Sequence, residues 1–220
     1  MRFMRQAVAI CLLAIVYAKP CTAEGTSPVA PFEARYSVSS RGFTLGVMTR
    51  TLALEAGARY RFSSDFSTTG LAAVLKRVVV HESSAGRLVN GRLQPERYRY
   101  RRESGKKVQE SGVDFDWPSM VARGFNGEHQ WTVELRGDEL DKLVYQVALA
   151  IDLHAHRTSL VYEVPDNGKR QRFELALVGK EPVMLWEGQT LTERVEHSRR
   201  DSRRTTLWCD PSLGYLPVQI

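Results

Sequence analysis

Apolar and polar residues alternate one by one along much of this chain, and this period of two restricts its fold more than any other feature. The clearest run is Arg97-Tyr98-Arg99-Tyr100-Arg101, in which the tyrosines fall on one side of an extended strand and the arginines on the other. Phe32 to Ser39 and Arg59 to Phe66 repeat the pattern with aromatic residues at alternate positions. These segments predict antiparallel strands with one face against a core and one face in water.

Short turn signals separate the alternating segments and predict that neighbouring strands pair as hairpins. Arg41-Gly42, Asn90-Gly91 and Asp166-Asn167-Gly168-Lys169 each stand between two such segments. The last residues, Arg203 to Ile220, contain a strand, a tight turn over Asp210 to Gly214 and a second strand. The sequence therefore predicts a meander that finishes in a hairpin.

Two segments depart from the period of two and predict helix. A single helical turn is expected over Thr68 to Leu75, where it would cover one end of the sheet. A long helix is expected between Asp138 and Leu153, with Asp138 as its N-cap. Its apolar residues recur at intervals of three and four and so share one stripe: Leu140, Leu143, Val144, Val147, Ala148 and Ile151.

Taken together, these elements predict a mainly β protein with one domain over residues 32–220. The fold expected is a single curved antiparallel sheet, or an open or half β-barrel, of about ten to twelve strands with one long covering helix. Residues 24–31 contain Gly25, Pro28 and Pro31 and are expected to form a flexible lead-in. Closed and half-open barrels give the same alternation, so the pattern leaves that choice open.

The N-terminus has the composition of a cleavable signal peptide. A basic segment, Met1 to Arg5, precedes an apolar run, Ala7 to Ala18, that is too short to span a bilayer. Cleavage is predicted after Ala23, which gives a signal peptide over residues 1–23 and a periplasmic protein. A lipid anchor on Cys21 is not expected, because a lysine and a proline precede that cysteine.

Removal of residues 1–23 would also change the charge and the cysteine content. It takes away Arg2, Arg5 and Lys19 and no acid, which lowers the formal net charge from +6 to +3. Cys209 would be the one remaining cysteine, so no intramolecular disulfide is possible. A buried thiol is the preferred interpretation for Cys209, with an intermolecular link as the alternative.

Residues that suggest catalysis or metal binding are few. His154 and His156 stand two apart, but no third ligand is suggested nearby, and a cationic role at the end of the helix is simpler. Asp114 and Asp116 alternate on one strand face, as solvated carboxylates often do. No Gly-x-Ser-x-Gly nucleophile elbow occurs. No catalytic residue, metal or cofactor is predicted, and an enzyme is the less favoured class.

Arginines on one strand face are candidates for anion binding. Arg97, Arg99 and Arg101 alternate along one segment, and guanidinium groups bind phosphates well. In a bacterial envelope the polyanions are lipid head groups and lipopolysaccharide, so peripheral membrane contact is possible and nucleic acid is not expected. Glu96 and Glu103 lie among these arginines, so an ordinary solvated face is the preferred interpretation and anion binding is the alternative.

The order of these motifs resembles an exported bacterial family catalogued as domain of unknown function 3108. The resemblance covers roughly Phe32 to Ile220. Its features are the early aromatic strand Phe32 to Val38, the Thr69-Gly70 turn, Gly91 to Pro95 leading into Tyr98 to Arg102, Val113 to Trp117, the helix from Asp141 to Leu153, Tyr162 to Val164, Thr205 to Trp208 and Gly214 to Val218.

This resemblance implies export and a β-rich fold, and it assigns no reaction and no catalytic residues. Related chains add a further strand after the segment that corresponds to Leu216 to Ile220, which implies that this last edge is unpaired or completed by a protein partner. In architecture the expected fold is also similar to the periplasmic lipoprotein carriers LolA and LolB. That likeness alone does not fix a function.

The preferred hypothesis is a non-enzymatic periplasmic binder of an apolar or amphiphilic ligand, a lipid or a lipoprotein, in envelope maintenance. Its cavity would lie on the concave sheet face under the 139–153 helix. Aromatic residues expected to line that cavity are Tyr36, Phe62, Tyr100, Trp131 and Trp208. Two alternatives remain: an envelope protein-interaction module with a packed core, and a hydrolase of unrecognised type.

Overall fold

The computed structural model of the protein describes residues 10–17, 29–186, 188–198 and 204–220. Residues Ile10–Tyr17 form strand β1. The next eight strands are β2 (Phe32–Ser40), β3 (Phe43–Glu55), β4 (Arg59–Thr68), β5 (Val78–Val89), β6 (Arg92–Ser104), β7 (Lys107–Asp116), β8 (Val121–Asn126) and β9 (His129–Glu134). The last five are β10 (Leu160–Asp166), β11 (Lys169–Leu185), β12 (Gly188–Ser198), β13 (Arg204–Asp210) and β14 (Leu216–Gln219).

Two α-helices interrupt the strands in the described part of the chain. Helix α1 (Gly70–Leu75) joins β4 to β5, and helix α2 (Tyr145–His154) joins β9 to β10. A 3₁₀ turn, Pro211–Leu213, joins β13 to β14. None of the described helices is long and apolar enough to cross a membrane.

The strands form two antiparallel meanders, β2 to β9 and β10 to β14, so thirteen strands lie beyond residue 29. Strand β1 lies between the two groups. It pairs with β2 along its length, from Ile10 opposite Ser40 to Tyr17 opposite Glu33. Its pairing with β14 consists of Leu13 opposite Gln219. This segment belongs to the predicted signal peptide, whose other residues lie outside the described part of the chain, as does most of the predicted lead-in.

The predicted alternation is confirmed along the strands. Ala34, Tyr36 and Val38 of β2 are buried, and the residues between them face outward. On β6, Tyr98 points into the interior while Arg97 lies on the exposed face. The positive φ angles of the predicted turns at residues 41–42, 90–91 and 167–168 fit tight hairpins.

The interior of the curved sheet is filled by the segment between β9 and the end of α2. Leu135, Leu140, Leu143 and Val147 are each less than a tenth exposed and pack against the inward side chains of the sheet. Leu149 and Leu153, on other sides of α2, are also buried. Because α2 is enclosed on several sides, it behaves as part of the core and not as an amphipathic cover.

The predicted start of the long helix is wrong. Asp138 is exposed and is not the N-cap, and α2 begins at Tyr145. The N-cap of α2 is Val144, which has no side-chain cap hydrogen bond. Asp141 instead caps the turn that leads into α2, since its Oδ1 accepts hydrogen bonds from the backbone N–H groups of Leu143 (2.9 Å) and Val144 (2.8 Å). The segment before α2 is therefore a loop with turns, although the apolar stripe predicted on it is largely buried.

The strand count exceeds the predicted ten to twelve. Strand β8 was not predicted, because Val121–Asn126 is short and contains Gly124 at an inward position. Strand β11 is long and contains a bulge between Leu177 and Gly179. Helix α1 confirms the predicted helical turn, but none of its residues is buried.

A close contact between β8 and β9 depends on a glycine. Gly124 lies opposite Trp131, and a Cβ atom at Gly124 would overlap the indole ring. Trp131 is 9% exposed and belongs to the main core cluster, so the ring has little room to move away. The pair is an aromatic side chain laid over a strand glycine.

Gly124→Ala is therefore expected to lower the free energy of unfolding by about 1 to 3 kcal/mol, because the added methyl group must displace a buried indole. Urea denaturation of both proteins measures the change. Thr132→Ala, at an exposed position of β9 next to Trp131, is the control and should change the free energy by less than about 0.5 kcal/mol. Equal stability of Gly124→Ala and the parent protein would contradict the proposed contact.

Candidate ligand-binding site

A cleft of about 470 Å³ opens at one end of the sheet, between the β5–β6 turn, helix α2 and strand β10. We call it the α2 cleft. Its apolar lining includes Leu93, Leu140, Ala148, Ile151 and Val161. Its polar lining includes Asn90, Arg92, Gln94, Asp138, Asp152, Arg157 and Tyr162. One wall is thus apolar while charged groups stand along the rim, an arrangement that suits an amphiphilic molecule.

The charges of the α2 cleft are unequally paired. Arg157 lies 3.2 Å from Asp152, and Tyr162 donates a hydrogen bond of 2.9 Å to the same carboxylate. Burial is the main cause that raises the pKa of Asp152, while the Tyr162 hydrogen bond and the nearby arginines lower it. Arg92 is exposed at the β5–β6 turn and forms no salt bridge within the described residues, although its charge acts on Asp152. Because no ion pair holds it, its guanidinium group can meet an anionic group of a ligand.

A second polar network lies deeper, where the segment before α2 meets the sheet. Ser84 of β5 donates a hydrogen bond of 2.5 Å to Asp141, and its oxygen lies 3.0 Å from the Tyr60 hydroxyl. Ser84 and Asp141 are almost completely buried. A serine beside a carboxylate can be catalytic, but Ser84 is completely buried and a substrate cannot reach it. The role of this network is therefore to hold the segment before α2 against the sheet.

Burial raises the pKa of Asp141 to about 7, and its hydrogen bonds from Ser84, Val144 and Leu143 limit the rise. Three titratable side chains interact with this carboxyl group. The charge of Glu82 raises the pKa of Asp141. Burial raises the pKa values of Tyr60 and Tyr98, and the charge of Asp141 raises them further. Desolvation without a paired cation is the dominant cause. Asp141 therefore changes charge near neutral pH in the folded protein.

A shallower groove of about 300 Å³ lies further along the same concave face. Glu82, Tyr98, Tyr100 and Lys142 are among its lining residues. Tyr98 donates a hydrogen bond of 2.5 Å to Glu82, and burial is the first cause of the raised pKa of that carboxyl group. The groove is more polar than the α2 cleft and offers little apolar surface to a hydrocarbon chain.

A family model described as "Protein of unknown function (DUF3108)" matches residues 35–220. The chain belongs to the DUF3108 family. No curated protein and no solved structure matches it. The predicted family is thereby confirmed, whereas the likeness to LolA and LolB finds no support from these comparisons.

The five aromatic residues predicted to line a ligand cavity do not meet at one site in this DUF3108 protein. Phe62 and Trp131 belong to the main core cluster, and Tyr36 belongs to a second one with Val218. Tyr36 also donates a hydrogen bond of 2.9 Å to the carbonyl of Pro217. Tyr100 lines the shallower groove, and Trp208 packs against the second cluster. Ligand binding by these five residues remains a prediction.

The three predicted anion-binding arginines all lie on the outer face and have acidic partners. Arg97 and Arg99 pair with Asp114 at 3.2 and 2.8 Å. Arg101 pairs with Glu103 at 2.9 Å and with Glu110 at 2.5 Å. These surface pairs already satisfy the guanidinium groups. This arrangement agrees with the interpretation of an ordinary solvated strand face. An incoming anion would have to compete with them.

The other residues considered in the sequence lie in ordinary structural environments. Asp116 accepts hydrogen bonds from Arg123 and from the Ser119 backbone N–H, and these lower the pKa of its carboxyl group. Cys209 is completely buried, as predicted, and burial raises the pKa of its thiol to about 12. His154 and His156 are exposed near the end of α2. The described residues contain no group of three metal-ligating side chains.

Sequence reasoning missed the α2 cleft and its residues. Arg92 and Val161 lie on strands that are distant along the chain, and only the curvature of the sheet brings them together. Asn90-Gly91 predicted the turn correctly, but a turn signal does not reveal that the turn forms one wall of a cleft. Asp141 carried a clue, because an aspartate two residues before an apolar stretch is a typical capping position.

Asp141→Asn tests the buried carboxyl group. A folded-state pKa of about 7, above the ordinary value of 3.8, means that the folded state binds the proton more tightly, so this group lowers stability as the pH rises from about 4 to 7. Asparagine keeps the acceptor for the two backbone N–H groups and does not titrate. As the pH rises from about 4 to 7, the parent should lose stability and the variant should not. The free energy of unfolding of the variant minus that of the parent should therefore increase by up to about 4 kcal/mol.

Urea denaturation at a series of pH values measures this difference. Asp116→Asn is the control, because the pKa of the half-buried Asp116 is lowered and gives the opposite sign below the test interval: the parent loses stability relative to the control variant as the pH falls below about 4, and the two should change little relative to each other from pH 4 to pH 7. A difference between Asp141→Asn and the parent that stays constant from pH 4 to pH 7 would show that Asp141 does not titrate in this interval.

Proposed function

We propose that this DUF3108 protein is a non-enzymatic periplasmic binder of an amphiphilic ligand, a lipid or a lipid-like group, and that the ligand binds in the α2 cleft. The observation that carries the proposal is the composition of this cleft: about 470 Å³ with an apolar wall and with Arg92 at the rim outside any salt bridge of the described residues. Pockets of this size accommodate small hydrophobic ligands.

The hydrocarbon part of such a ligand would pack against Leu140, Ala148 and Ile151. These side chains belong to the segment that fills the sheet interior, so their positions are fixed by the core behind them. An anionic head group would meet Arg92, with Arg157 close by. The interior of the sheet is occupied by the protein's own side chains, which supports a proposed ligand position at the end of the sheet and not inside it.

The cellular setting of the proposal comes from the N-terminus. An exported protein that binds an amphiphile would act in lipid or lipoprotein transit or in envelope maintenance. Its first test is native mass spectrometry of the protein purified from its own periplasm, followed by lipid extraction. A stoichiometric amphiphile supports the proposal. A ligand-free mass in a protein that also takes up neither added fatty acid nor added phospholipid would contradict it.

Two substitutions locate the binding site. Val161→Trp places a large ring at the mouth of the cleft, at a position that is 37% exposed, and should weaken binding of a long-chain fatty acid about tenfold by excluding the chain. Arg92→Ala should weaken binding about threefold to fivefold by removing the cation. Isothermal titration with the fatty acid measures both.

The matched controls are Leu191→Trp, at an exposed apolar position of β12, and Arg35→Ala, at an exposed position of β2. Both should bind the fatty acid as the parent does. Binding that is unchanged in Val161→Trp, while the protein retains its thermal stability, would place the ligand elsewhere.

A second candidate function, protein binding by strand addition, is favoured by the pairing of β14. One side of β14 pairs with β13, and the other meets β1 through Leu13 opposite Gln219. β1 belongs to the segment that is predicted to be cleaved on export. Without it, the backbone groups of β2 and β14 that face the gap are available to an extended segment of a partner.

Hydrogen exchange of the exported protein tests this second function. Amides of β2 and β14 should exchange faster than those of β4. A peptide that contains Ile10–Tyr17 between solubilising lysines should slow them, because it can restore the missing pairing. A scrambled peptide is the control. Amides of β14 that are protected without peptide and unaffected by it would rule out an open gap.

A further inference from the structure

One end of the eight-stranded meander carries three chain connections that lie near one another. The β2–β3 turn places Ser40 opposite Phe43, and the β6–β7 turn places Ser104 opposite Lys107. Val78, the first residue of β5 after α1, pairs with Ser104. The backbone N–H of Thr69, just before α1, donates a 3.1 Å hydrogen bond to the Leu45 carbonyl of β3. Helix α1 therefore lies between the two turns, and we call this region the α1 end.

Large apolar side chains are exposed at the α1 end. Leu71, Val74 and Leu75 of α1 are 83%, 83% and 87% exposed, and Phe43 of the neighbouring β3 is 75% exposed. The helix buries none of its residues, so its apolar composition is not explained by the core. Single exposed apolar residues are ordinary, but a group of four at one end of the sheet marks a contact surface.

Cations without acidic partners accompany these apolar side chains. The carboxylates of the adjoining strands are already occupied, since Glu103 pairs with Arg101 and Asp65 pairs with His81. Four exposed cations next to α1 and in the β6–β7 turn form no salt bridge within the described residues: Lys76, Arg77, Lys106 and Lys107. On the outer face of the sheet, by contrast, arginines such as Arg99 are paired with carboxylates.

We infer that the α1 end is a docking surface for an anionic lipid membrane. Its apolar side chains would enter the boundary between head groups and acyl chains, while the four cations would meet the phosphates of the head groups. Exposed apolar side chains with cations beside them match a membrane interface in both composition and charge. This inference concerns a different part of the molecule from the α2 cleft and does not depend on ligand binding there.

A second exposed apolar region provides an internal comparison. Met184 and Trp186, at the end of the β11–β12 hairpin, are 64% and 81% exposed. The charges near them are mixed, with Lys180 paired to Glu193 and Arg194 close to Glu181. Alternation of antiparallel strands puts this hairpin at the end of the sheet opposite α1. A flat membrane that touches the α1 end would leave the β11–β12 hairpin free. The charges of this hairpin are balanced and do not favour an anionic surface.

Vesicle flotation with the protein purified from the periplasm tests the inference. The parent should float with vesicles of phosphatidylcholine and phosphatidylglycerol and bind those of phosphatidylcholine alone much more weakly. Replacing Lys106 and Lys107 with alanine should reduce the partition coefficient about fivefold for each cation removed. The double substitution Leu71→Ser and Leu75→Ser should reduce it at least tenfold, roughly in proportion to the apolar surface lost.

Controls at the other end of the molecule make the result specific. Met184→Ser removes an exposed apolar side chain, and Lys180→Ala removes an exposed cation of the same β11–β12 hairpin. Both should float as the parent does, and thermal melts should show that all variants fold. Failure of the parent to bind anionic vesicles would overturn the inference in favour of a protein partner. The inference would also be overturned if Met184→Ser lost vesicle binding while the double variant Leu71→Ser and Leu75→Ser kept it.

Discussion

The structure depends on how the concave face of a strongly curved sheet is covered. Eight antiparallel strands offer an apolar inner surface, and the loop before α2 enters it with a buried carboxylate, Asp141. Its two oxygens accept hydrogen bonds from the backbone of Leu143 and Val144 and from Ser84 of β5. A buried carboxyl group without these donors would be costly, so the loop has one favourable position against the sheet. Glu139, held by Arg170, fixes the same loop from the other side.

The filled interior decides where a ligand can bind. Once Leu140, Leu143 and Val147 occupy the space under the sheet, the cavity that an open barrel would enclose is gone, and open space remains where the core ends. That space is the α2 cleft, whose apolar wall is the outer surface of the same segment. The network around Asp141 thus positions Leu140 and Ala148 for any molecule in the cleft. Stability of the core and shape of the cleft are two consequences of one packing arrangement.

Most strands and turns follow from local chemistry and were predictable. Alternation is visible within each segment, and Asn90-Gly91 adopts the positive φ angles that a tight hairpin needs. The start of α2 was not predictable in the same way, because the partner that fixes Asp141 is Ser84, 57 residues away along the chain. The α2 cleft was hidden for a similar reason, since its walls are joined only by sheet curvature. Exposure of Leu75 in α1 was likewise invisible, because a helical turn with apolar residues normally predicts burial.

The positions of the two proposed surfaces constrain how they would work together. Strand β5 begins beside α1 and ends at the turn that borders the α2 cleft, so its twelve residues separate the two surfaces by on the order of 35 Å. A protein docked on a membrane through α1 would therefore hold its cleft well outside the head-group layer, where an acyl chain cannot pass directly from bilayer to cleft. Ligand exchange in the docked state would need a second protein at the cleft. If ligand instead exchanges directly with lipid, the molecule must release its α1 contact and turn the Arg92 end towards the membrane, which makes docking and loading alternative states.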